Sequence, residues 1–286
     1  MIGNSLSEDA GRYINSVFEA GGVSLDLTVK GVGGSSLSHH AANLKAELNG
    51  EEKTWERADY FTYYNGERDL TASTNLLDAL NAKQYDVISL QQFSAYNDSD
   101  FEEALPYLAT EIRKLQPNAE IVLYQTWANY GNEATLTSLN NSFLNTIEPA
   151  VSKWAEYVGE NVSGITKNGE PMEIIPAGYA FYLGYNNTDF CINRPYVTTD
   201  TDAGAKEVAV GIELATGLMR DINHASYYGC YLADAVWFEM LTGRQASFKD
   251  ENGRAVVPKP DAISTDEHLL RLETLSGIAH NAVIYN

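Results

Sequence analysis

The sequence has few of the residues that build several common kinds of site. It contains only two cysteines, Cys191 and Cys230, and no CxxC or HExxH pattern. Neither a disulfide scaffold nor a zinc site built on those motifs is therefore expected. We interpret the two cysteines as free, partly buried thiols, and the sequence leaves open whether they pair. Basic residues are scarce as well, because 19 lysines and arginines stand against 39 acidic residues. The net charge of −20 repels polyanions, so no nucleic acid partner is expected.

Long hydrophobic runs are also missing. None approaches the roughly 20 apolar residues that a membrane-spanning helix needs, so no membrane span is expected. The first residues contain neither a basic segment nor an apolar one, so no signal peptide is visible. The compartment stays open: secreted or periplasmic if an upstream leader has been removed, and cytoplasmic otherwise. The oligomeric state is open too.

The order of predicted elements indicates an α/β fold. With 44% hydrophobic residues in 286, the chain can bury a large core. Continuous apolar runs at residues 85–91 and 120–126 predict buried strands, and helical patterns separate most of the strands. This alternation is typical of a parallel sheet with helices on both faces. We expect one domain over residues 1–286, with a loop insertion at about residues 185–204 and a C-terminal helical extension at about residues 244–286.

Several predicted elements have specific bounds. Glycine, proline and capping patterns predict a helix over residues 7–18, a strand over 23–30, a hairpin over 54–64 and helices over 135–157, 205–219, 227–241 and 267–282. In parallel sheets, ligands bind beyond the carboxyl ends of the strands. Polar residues that follow predicted strands are therefore the first candidates for a site.

Ser5 is predicted to lie between the end of a strand and the start of a helix. A serine there exposes its hydroxyl near a helix N-terminus, which favours developing negative charge. The alternative explanation is a serine that caps the helix, and for an isolated serine it is the commoner outcome.

Asp221 and His224 lie three residues apart in a predicted connecting loop. At this spacing the carboxylate can reach the imidazole, fix its tautomer and stabilise its protonated form. A serine from elsewhere in the chain would then complete a set of nucleophile, base and orienting acid. The alternative is a helix-capping aspartate beside an unrelated histidine.

Gly34 and Gln91 are candidates for stabilising an oxyanion. Gly34 follows a predicted strand, where a glycine lets the backbone approach a ligand and present its N–H. Gln91 ends another strand, and its amide can donate to an oxyanion. The alternatives are a turn glycine without a ligand and a side chain that satisfies a loop backbone.

In their order along the chain, these residues resemble the SGNH hydrolase superfamily of serine esterases, also called GDSL hydrolases. The stretch Gly3-Asn4-Ser5 matches the block that holds the family's nucleophile, Gly34 matches the glycine of the second block, and Asp221 with His224 matches the last block. The third block departs from the usual GxND, because residues 90–94 read Leu-Gln-Gln-Phe-Ser. This segment looks like that of the acetylesterase branch, so the donor role passes to Gln91, with Gln92 as the alternate. A bacterial SGNH-like branch of unassigned activity resembles the chain more closely, over residues 1–243.

The resemblance implies a flavodoxin-like, three-layer α/β/α sandwich with a parallel sheet of about five strands. It implies a serine esterase without metal or other cofactor that cleaves a small acyl group, with O-acetyl on a carbohydrate favoured. Ser5 would be the nucleophile, His224 the base and Asp221 its orienting acid, while the N–H groups of Ser5 and Gly34 and the Gln91 side chain would form the oxyanion hole. The alternatives are a non-catalytic carbohydrate-binding protein of the same fold and an acyltransferase.

Four further residues are candidates for contacting the substrate: Asn4, His40, Ser94 and Trp127. His40 lies in a stretch that matches the bacterial branch, and a histidine with a structural role is the alternative. Trp127 follows a strand end and could stack on a sugar ring, although packing in the core or at its rim is the stronger expectation.

Overall fold

The computed structural model describes residues 1–51, 60–65, 67–93, 100–129, 135–166, 169–187, 189–190, 217–221, 223–247 and 266–285, the last of these without the side chains of residues 266–269. Ser94, Cys191 and much of the predicted insertion, hairpin and helix over 205–219 lie outside the described residues. Within the part of the chain described, no helix is long and apolar enough to cross a membrane.

The chain forms two compact units. The first consists of Met1–Glu8, Leu27–Thr126 and Thr146–Ile175, and the second of Asp9–Asp26, Trp127–Asn145 and Pro176–Asn286. The expectation of a single hydrolase-like domain with an insertion and a helical extension stays a prediction.

A seven-stranded sheet forms the centre of the first unit. Its strands are β1 (Ile2–Gly3), β2 (Thr28–Gly31), β3 (Phe61–Tyr64), β4 (Glu67–Arg68), β5 (Val87–Gln91), β6 (Glu120–Tyr124) and β7 (Ile174–Ile175). The order across the sheet is β4-β3-β2-β1-β5-β6-β7. Strands β2, β1, β5, β6 and β7 are parallel, whereas β3 and β4 are antiparallel.

The predicted α/β class is therefore confirmed, but the expected number of about five strands is wrong. The two additional strands are the antiparallel pair β3 and β4 at one edge. The sequence pattern placed Asn65 at the end of a hairpin, whereas the chain turns there and continues into β4. Asn65 has a positive φ of 50°, a conformation that asparagine tolerates in turns.

The described part of the chain contains helices α1 (Ser5–Gly11), α2 (Ile14–Ala20), α3 (Leu37–Leu48), α4 (Leu76–Ala82), α5 (Leu105–Leu115), α6 (Leu136–Ser142), α7 (Glu148–Asn161), α8 (Ala177–Tyr185), α9 (Tyr227–Thr242) and α10 (Asp266–Tyr285). Two π-helical turns, Asp100–Ala104 and Phe143–Ile147, precede α5 and α7. The predicted helices over 227–241 and 267–282 agree closely with α9 and α10.

Three predicted elements differ from the structure. The single helix over residues 7–18 is divided into α1 and α2. The helix over 135–157 is interrupted by the turn Phe143–Ile147, after which α7 begins at Glu148 with Pro149 in its first turn. Proline suits this position because the N–H that it lacks has no partner in a first helical turn. The strand over residues 23–30 is limited to Thr28–Gly31. Helix α8 was not predicted.

Helix α9 organises the second unit. It is apolar around most of its circumference, which is the pattern of a helix buried on all sides. Helices α2, α8 and α10 all pack against it. Phe18 of α2 meets Phe238 of α9 edge to face, with ring centroids 5.1 Å apart. The helix ends at Gly243, whose φ of 66° closes the last turn.

Helix α9 carries a titratable side chain, Asp234, within these apolar surroundings. Asp234 is fully buried, and burial raises the pKa of its carboxyl well above the usual value, with the nearby Asp9 adding to the effect. An unfolded chain ionises this carboxyl above about pH 4. Its contribution to stability is therefore present at lower pH and is lost as the pH rises.

We expect Asp234→Asn to raise the free energy of unfolding at pH 7 and to have little effect near pH 4, because the amide needs no proton to stay neutral. Urea unfolding at both pH values measures this, with the exposed Glu156→Gln as the control for loss of one negative charge. A variant that is less stable than wild type at pH 7 would contradict the assignment.

Candidate active site

The ends of three parallel strands bring the first group of predicted site residues together. Strands β1, β2 and β5 are neighbours, and their carboxyl ends lie at the same edge of the sheet. Asn4 follows β1, Gly33 and Gly34 follow β2, and Gln91 ends β5. The structure therefore brings these strand-end residues to one edge of the sheet.

Asn4 is completely buried and connects all three strand ends. Its backbone N–H donates to Oε1 of Gln91 at 2.9 Å, and its Nδ2 donates to the carbonyl of Ser35 at 3.0 Å. Its Oδ1 accepts the N–H of Leu6 at 2.9 Å and so caps α1. Asn4 thus holds the strand ends in position. These bonds do not test whether it also contacts a substrate, which stays a prediction.

The Gln91 side chain is the partner that Asn4 and Ser7 share. Its Oε1 also accepts the Ser7 hydroxyl at 2.9 Å, and its Nε2 donates to the carbonyl of Gln92. Gly3 packs so closely that a Cβ there would collide with Gln91 and Ser7, which explains the glycine before Asn4. The described contacts use one of the two Nε2 hydrogens, so the donor role of Gln91 stays a prediction.

Gln92, the alternate donor, is also buried and engaged. Its Oε1 accepts the N–H of Leu37 at the start of α3, at 2.8 Å. Gln91 and Gln92 therefore hold the starts of two different helices, α1 and α3.

Gly34 lies in an exposed turn that follows β2. The N–H of Ser35 donates to the carbonyl of Val32 at 3.0 Å and closes the turn, so the N–H of Gly34 takes no part in that bond. The φ of Gly34 is 66°, in the left-handed region that glycine adopts without strain. The geometry is thus compatible with a backbone donor at this strand end.

Ser5 begins α1 directly after Asn4 and is partly exposed. Asn4 and not Ser5 caps the helix through Leu6 N–H, so the alternative explanation of Ser5 as the cap is not what holds this helix end. Ser5 belongs to the first unit, whereas Asp221 and His224 belong to the second.

A buried chain of hydrogen bonds supports the Gly34 turn from below. Nε2 of His40 lies 2.9 Å from the Ser35 hydroxyl, and its Nδ1 lies 2.8 Å from the Tyr60 hydroxyl. The Ser35 hydroxyl donates onward to the carbonyl of Gly3 at 3.3 Å. Since that hydroxyl has one hydrogen, His40 donates through Nε2 and accepts from Tyr60 at Nδ1. Both ring nitrogens of His40 thus take part in this structural chain, and its contact with substrate stays a prediction.

His40 stays neutral over a wide pH range. It is fully buried, and burial together with the neighbouring His39 lowers its pKa from 6.5 to about 3. A neutral imidazole suits the chain, because only the neutral ring can both donate and accept.

Asp221 and His224 form the pair that the sequence predicted. Nδ1 of His224 lies 2.8 Å from Oδ2 and 3.0 Å from Oδ1 of Asp221. The backbone N–H groups of Asn223 and His224 donate to the same carboxylate at 2.7 and 2.8 Å. The carboxylate therefore shapes the loop and orients the ring with one set of bonds.

The electrostatics of this pair favour a charged imidazolium. Burial opposes ionisation of Asp221, but the hydrogen bonds from the His224 ring and the Asn223 N–H lower its pKa to about 2. Burial likewise opposes protonation of His224, but the hydrogen bond to Asp221 and the nearby charge of Asp9 raise its pKa above the ordinary value. The ring is thus prepared to accept a proton at Nε2.

The buried carboxylate of Asp9, which was not predicted as a site residue, binds the residues on both sides of this pair. Oδ1 of Asp9 accepts Nη1 of Arg220, and Oδ2 accepts the N–H of Ala225, both at 2.8 Å. Nη1 of Arg220 also donates to the carbonyl of Ala225 at 2.6 Å. Asp9 lies four residues after Ser5 in the same helix. Nothing in the sequence links Asp9 to Arg220, 211 residues away.

Trp127 contacts the same loop. Its Nε1–H donates to the carbonyl of Asn223 at 2.9 Å, and its ring stacks on Phe181 with centroids 4.3 Å apart. The indole is completely buried, so its described contacts are those of a packing and positioning residue.

Two remaining expectations concern metals and thiols. Among the described residues, no group of three or more histidine, cysteine or carboxylate side chains could hold a metal ion. Cys230 is buried, and burial strongly raises the pKa of its thiol. Any pairing with Cys191 concerns a residue outside those described.

The fold and this arrangement define a mixed α/β protein whose polar side chains gather where parallel strands end. Residues 1–181 match the profile of a family described as Domain of unknown function (DUF4886). That match takes in more than half of the 286 residues, so the chain belongs to this family. It ends before Asp221 and His224, which leaves the loop that holds this pair outside the matched region.

A solved structure gives the same picture of the fold. The crystal structure of a DUF4886 family protein from Bacteroides uniformis, at 1.50 Å resolution, is similar to this chain with a TM-score of 0.62 and 24% sequence identity. The similarity covers 99% of this chain and 93% of that chain, and at this identity it supports the fold alone. No curated protein matches the chain.

Because His40 is buried and neutral, we expect the free energy of unfolding to fall in acid. Unfolding exposes a ring that binds a proton below pH 6.5, whereas the folded ring stays neutral down to about pH 3. Its stabilisation is therefore present above pH 6.5 and falls by about 1.4 kcal/mol per pH unit as the pH drops through that window. Urea unfolding should show the stability advantage of wild type over His40→Gln shrinking between pH 7 and pH 4. The same experiment on the partly exposed His280→Gln is the control, and a constant advantage over His40→Gln would rule the explanation out.

The Asp221–His224 pair predicts a change in the titration of the ring. In Asp221→Asn the burial of His224 remains while its anionic acceptor is lost, so its pKa should fall below that of wild type. An NMR titration of the imidazole, assigned by the signal missing in His224→Gln, measures this shift. The exposed Asp69→Asn should leave the titration unchanged, and an equal pKa in Asp221→Asn would mean that the carboxylate does not control the ring.

Proposed function

We propose that the chain is a serine esterase of the SGNH type, with the flavodoxin-like, three-layer α/β/α arrangement of that superfamily. Its substrate class is a small acyl ester, with an O-acetyl group on a carbohydrate favoured. Ser5 is the nucleophile, His224 the general base and Asp221 its orienting acid. The proposal requires Ser5 and His224 to act on one ester.

The observation that carries the proposal is the bond between the His224 ring and the Asp221 carboxylate. With Nδ1 bound at 2.8 Å to a carboxylate, the neutral ring carries its hydrogen on Nδ1 and presents a lone pair at Nε2. The raised pKa of His224 matches the need to take a proton from a serine hydroxyl. A helix-capping aspartate beside an unrelated histidine would need neither feature.

In the first step, Oγ of Ser5 would bond to the acyl carbon while its proton passes to Nε2 of His224. The carbonyl oxygen becomes an oxyanion, and when the tetrahedral intermediate collapses, His224 returns the proton to the departing alcohol. Water then attacks the acyl-enzyme, loses a proton to His224 and releases the free acid and Ser5. The alcohol therefore leaves with the proton that came from Ser5, and the proton taken from water passes from Nε2 of His224 to Oγ of Ser5 as the acid departs.

Oxyanion stabilisation is assigned to three donors. The N–H groups of Ser5 and Gly34 come from the segments that follow the adjacent strands β1 and β2, and the Gln91 amide ends β5 on the other side of β1, in the buried network of Asn4. The Gly34 turn is supported by its left-handed φ and by the His40 chain, so little reorganisation is needed when charge develops.

Hydrolysis of p-nitrophenyl acetate by wild type and Ser5→Ala tests the assignment. We expect a loss of activity on the order of 10⁴-fold or more in Ser5→Ala, as for other removed serine nucleophiles. A fluorophosphonate probe should label wild type and not Ser5→Ala. The matched control is Ser16→Ala, a partly exposed serine in α2 that should keep both activities.

Three other outcomes have distinct meanings. Activity that survives in Ser5→Ala would remove Ser5 as the nucleophile. A wild type that neither turns over acetylated sugars nor reacts with the probe would favour a carbohydrate-binding protein. Acyl transfer to an added sugar alcohol, in preference to water, would identify an acyltransferase that uses the same residues.

A further inference from the structure

We infer that Asp9 is a positioning residue for the base: its buried carboxylate grips both flanks of the loop that carries Asp221 and His224. This inference rests on the proposed function, because only a general base at His224 needs the loop to be held in a fixed position toward a nucleophile. Asp9 is no part of the proposed Ser-His-Asp set, and no step of the reaction as proposed requires it to react.

The first argument is the geometry of the two contacts. Arg220 precedes Asp221 and Ala225 follows His224, so Asp9 holds the residue on each side of the pair. Both contacts measure 2.8 Å, and Asp9 has no exposed surface. A carboxylate bound in this way fixes both ends of a short segment at once.

The second argument is that the flanks are also joined to each other. Arg220 donates through its backbone N–H to the carbonyl of His224 at 3.0 Å and through Nη1 to the carbonyl of Ala225. Met219 and Ala225 form an antiparallel bridge. The loop is therefore a closed, cross-linked turn that Asp9 can orient as one piece.

The third argument is the place of Asp9 in the chain. It lies in α1, the helix that Ser5 begins, and residues four apart lie on the same helical face one turn along. The helix that carries the proposed nucleophile thus also carries the group that grips the base loop.

The charges around His224 in the second unit agree with this role. The described charges that act on the ring include Asp221, Asp9 and Arg220, two anions and one cation. Arg12 lies near the Asp9 carboxylate as well, with Nη2 at 3.7 Å. Asp9 therefore contributes charge as well as a mechanical hold.

The test is Asp9→Asn, which keeps the size of the side chain but replaces one acceptor with a donor. The first readout is the NMR signal of the His224 Nδ1–H, which reports its bond to Asp221 and needs no turnover. The second is the rate at which a fluorophosphonate labels Ser5. The matched control is Asp234→Asn, the same substitution at another buried aspartate, for which no contact with residues 217–226 is described.

We expect the Nδ1–H signal to shift or broaden in Asp9→Asn, and labelling of Ser5 to slow on the order of 10²-fold, the cost typical of a misplaced catalytic group. Asp234→Asn should change neither. If Asp9→Asn fails to fold because Arg220 is left unpaired, the double variant Asp9→Asn with Arg220→Gln removes both charges and is expected to show the same two changes.

The results separate this inference from the proposed function. A folded variant with an unchanged His224 signal and an unchanged labelling rate would overturn the role of Asp9 and leave the esterase proposal intact. A changed His224 signal in a protein whose wild type neither labels nor hydrolyses esters would support the grip on the loop and overturn the proposed chemistry.

Discussion

The arrangement of the strand ends depends on the hydrogen bonds of one buried side chain, the carboxamide of Gln91. The strand β1 has only two residues, Ile2–Gly3, so its backbone hydrogen bonds to neighbouring strands do little to fix where it ends. Oε1 of Gln91 supplies that constraint by accepting the Asn4 N–H and the Ser7 hydroxyl together. An unpaired buried amide would destabilise the fold, so the requirement for partners fixes where α1 begins relative to β5. The position of Ser5 follows directly from the position of Asn4.

Local patterns were enough to predict much of the fold and part of the site. Continuous apolar runs marked β5 and β6 because these strands are buried on both faces, and the spacing of Asp221 and His224 placed carboxylate and ring within reach of each other. Bonds between residues remote in sequence could not be predicted in this way. Asp9 and Arg220 are an example, because each alone has the pattern of a charged residue on a helix or loop surface.

The sequence pattern did not predict strand β4 at the sheet edge or the division of the first helix, and the physical reasons differ. β4 has only two residues, Glu67–Arg68, both exposed, so no hydrophobic alternation marked it as a strand. The break between α1 and α2 lies within an unbroken helical pattern of apolar residues. Nothing in that pattern marks the break, because contacts with residues remote in sequence can override the weak local preference for one continuous helix.

The connectivity of the two units has a consequence for how the chain folds. Each unit is assembled from three separate stretches, so no single contiguous fragment contains either core. Helix α9 packs on both α2 and α10, which join sequence near residue 14 to sequence beyond residue 266. Contacts of such long sequence separation form only after large loops close, which slows folding relative to chains with local contacts. On a ribosome, the core around α9 has to wait until the residues beyond 266 have been made, and early apolar helices such as α2 spend that interval without their partners.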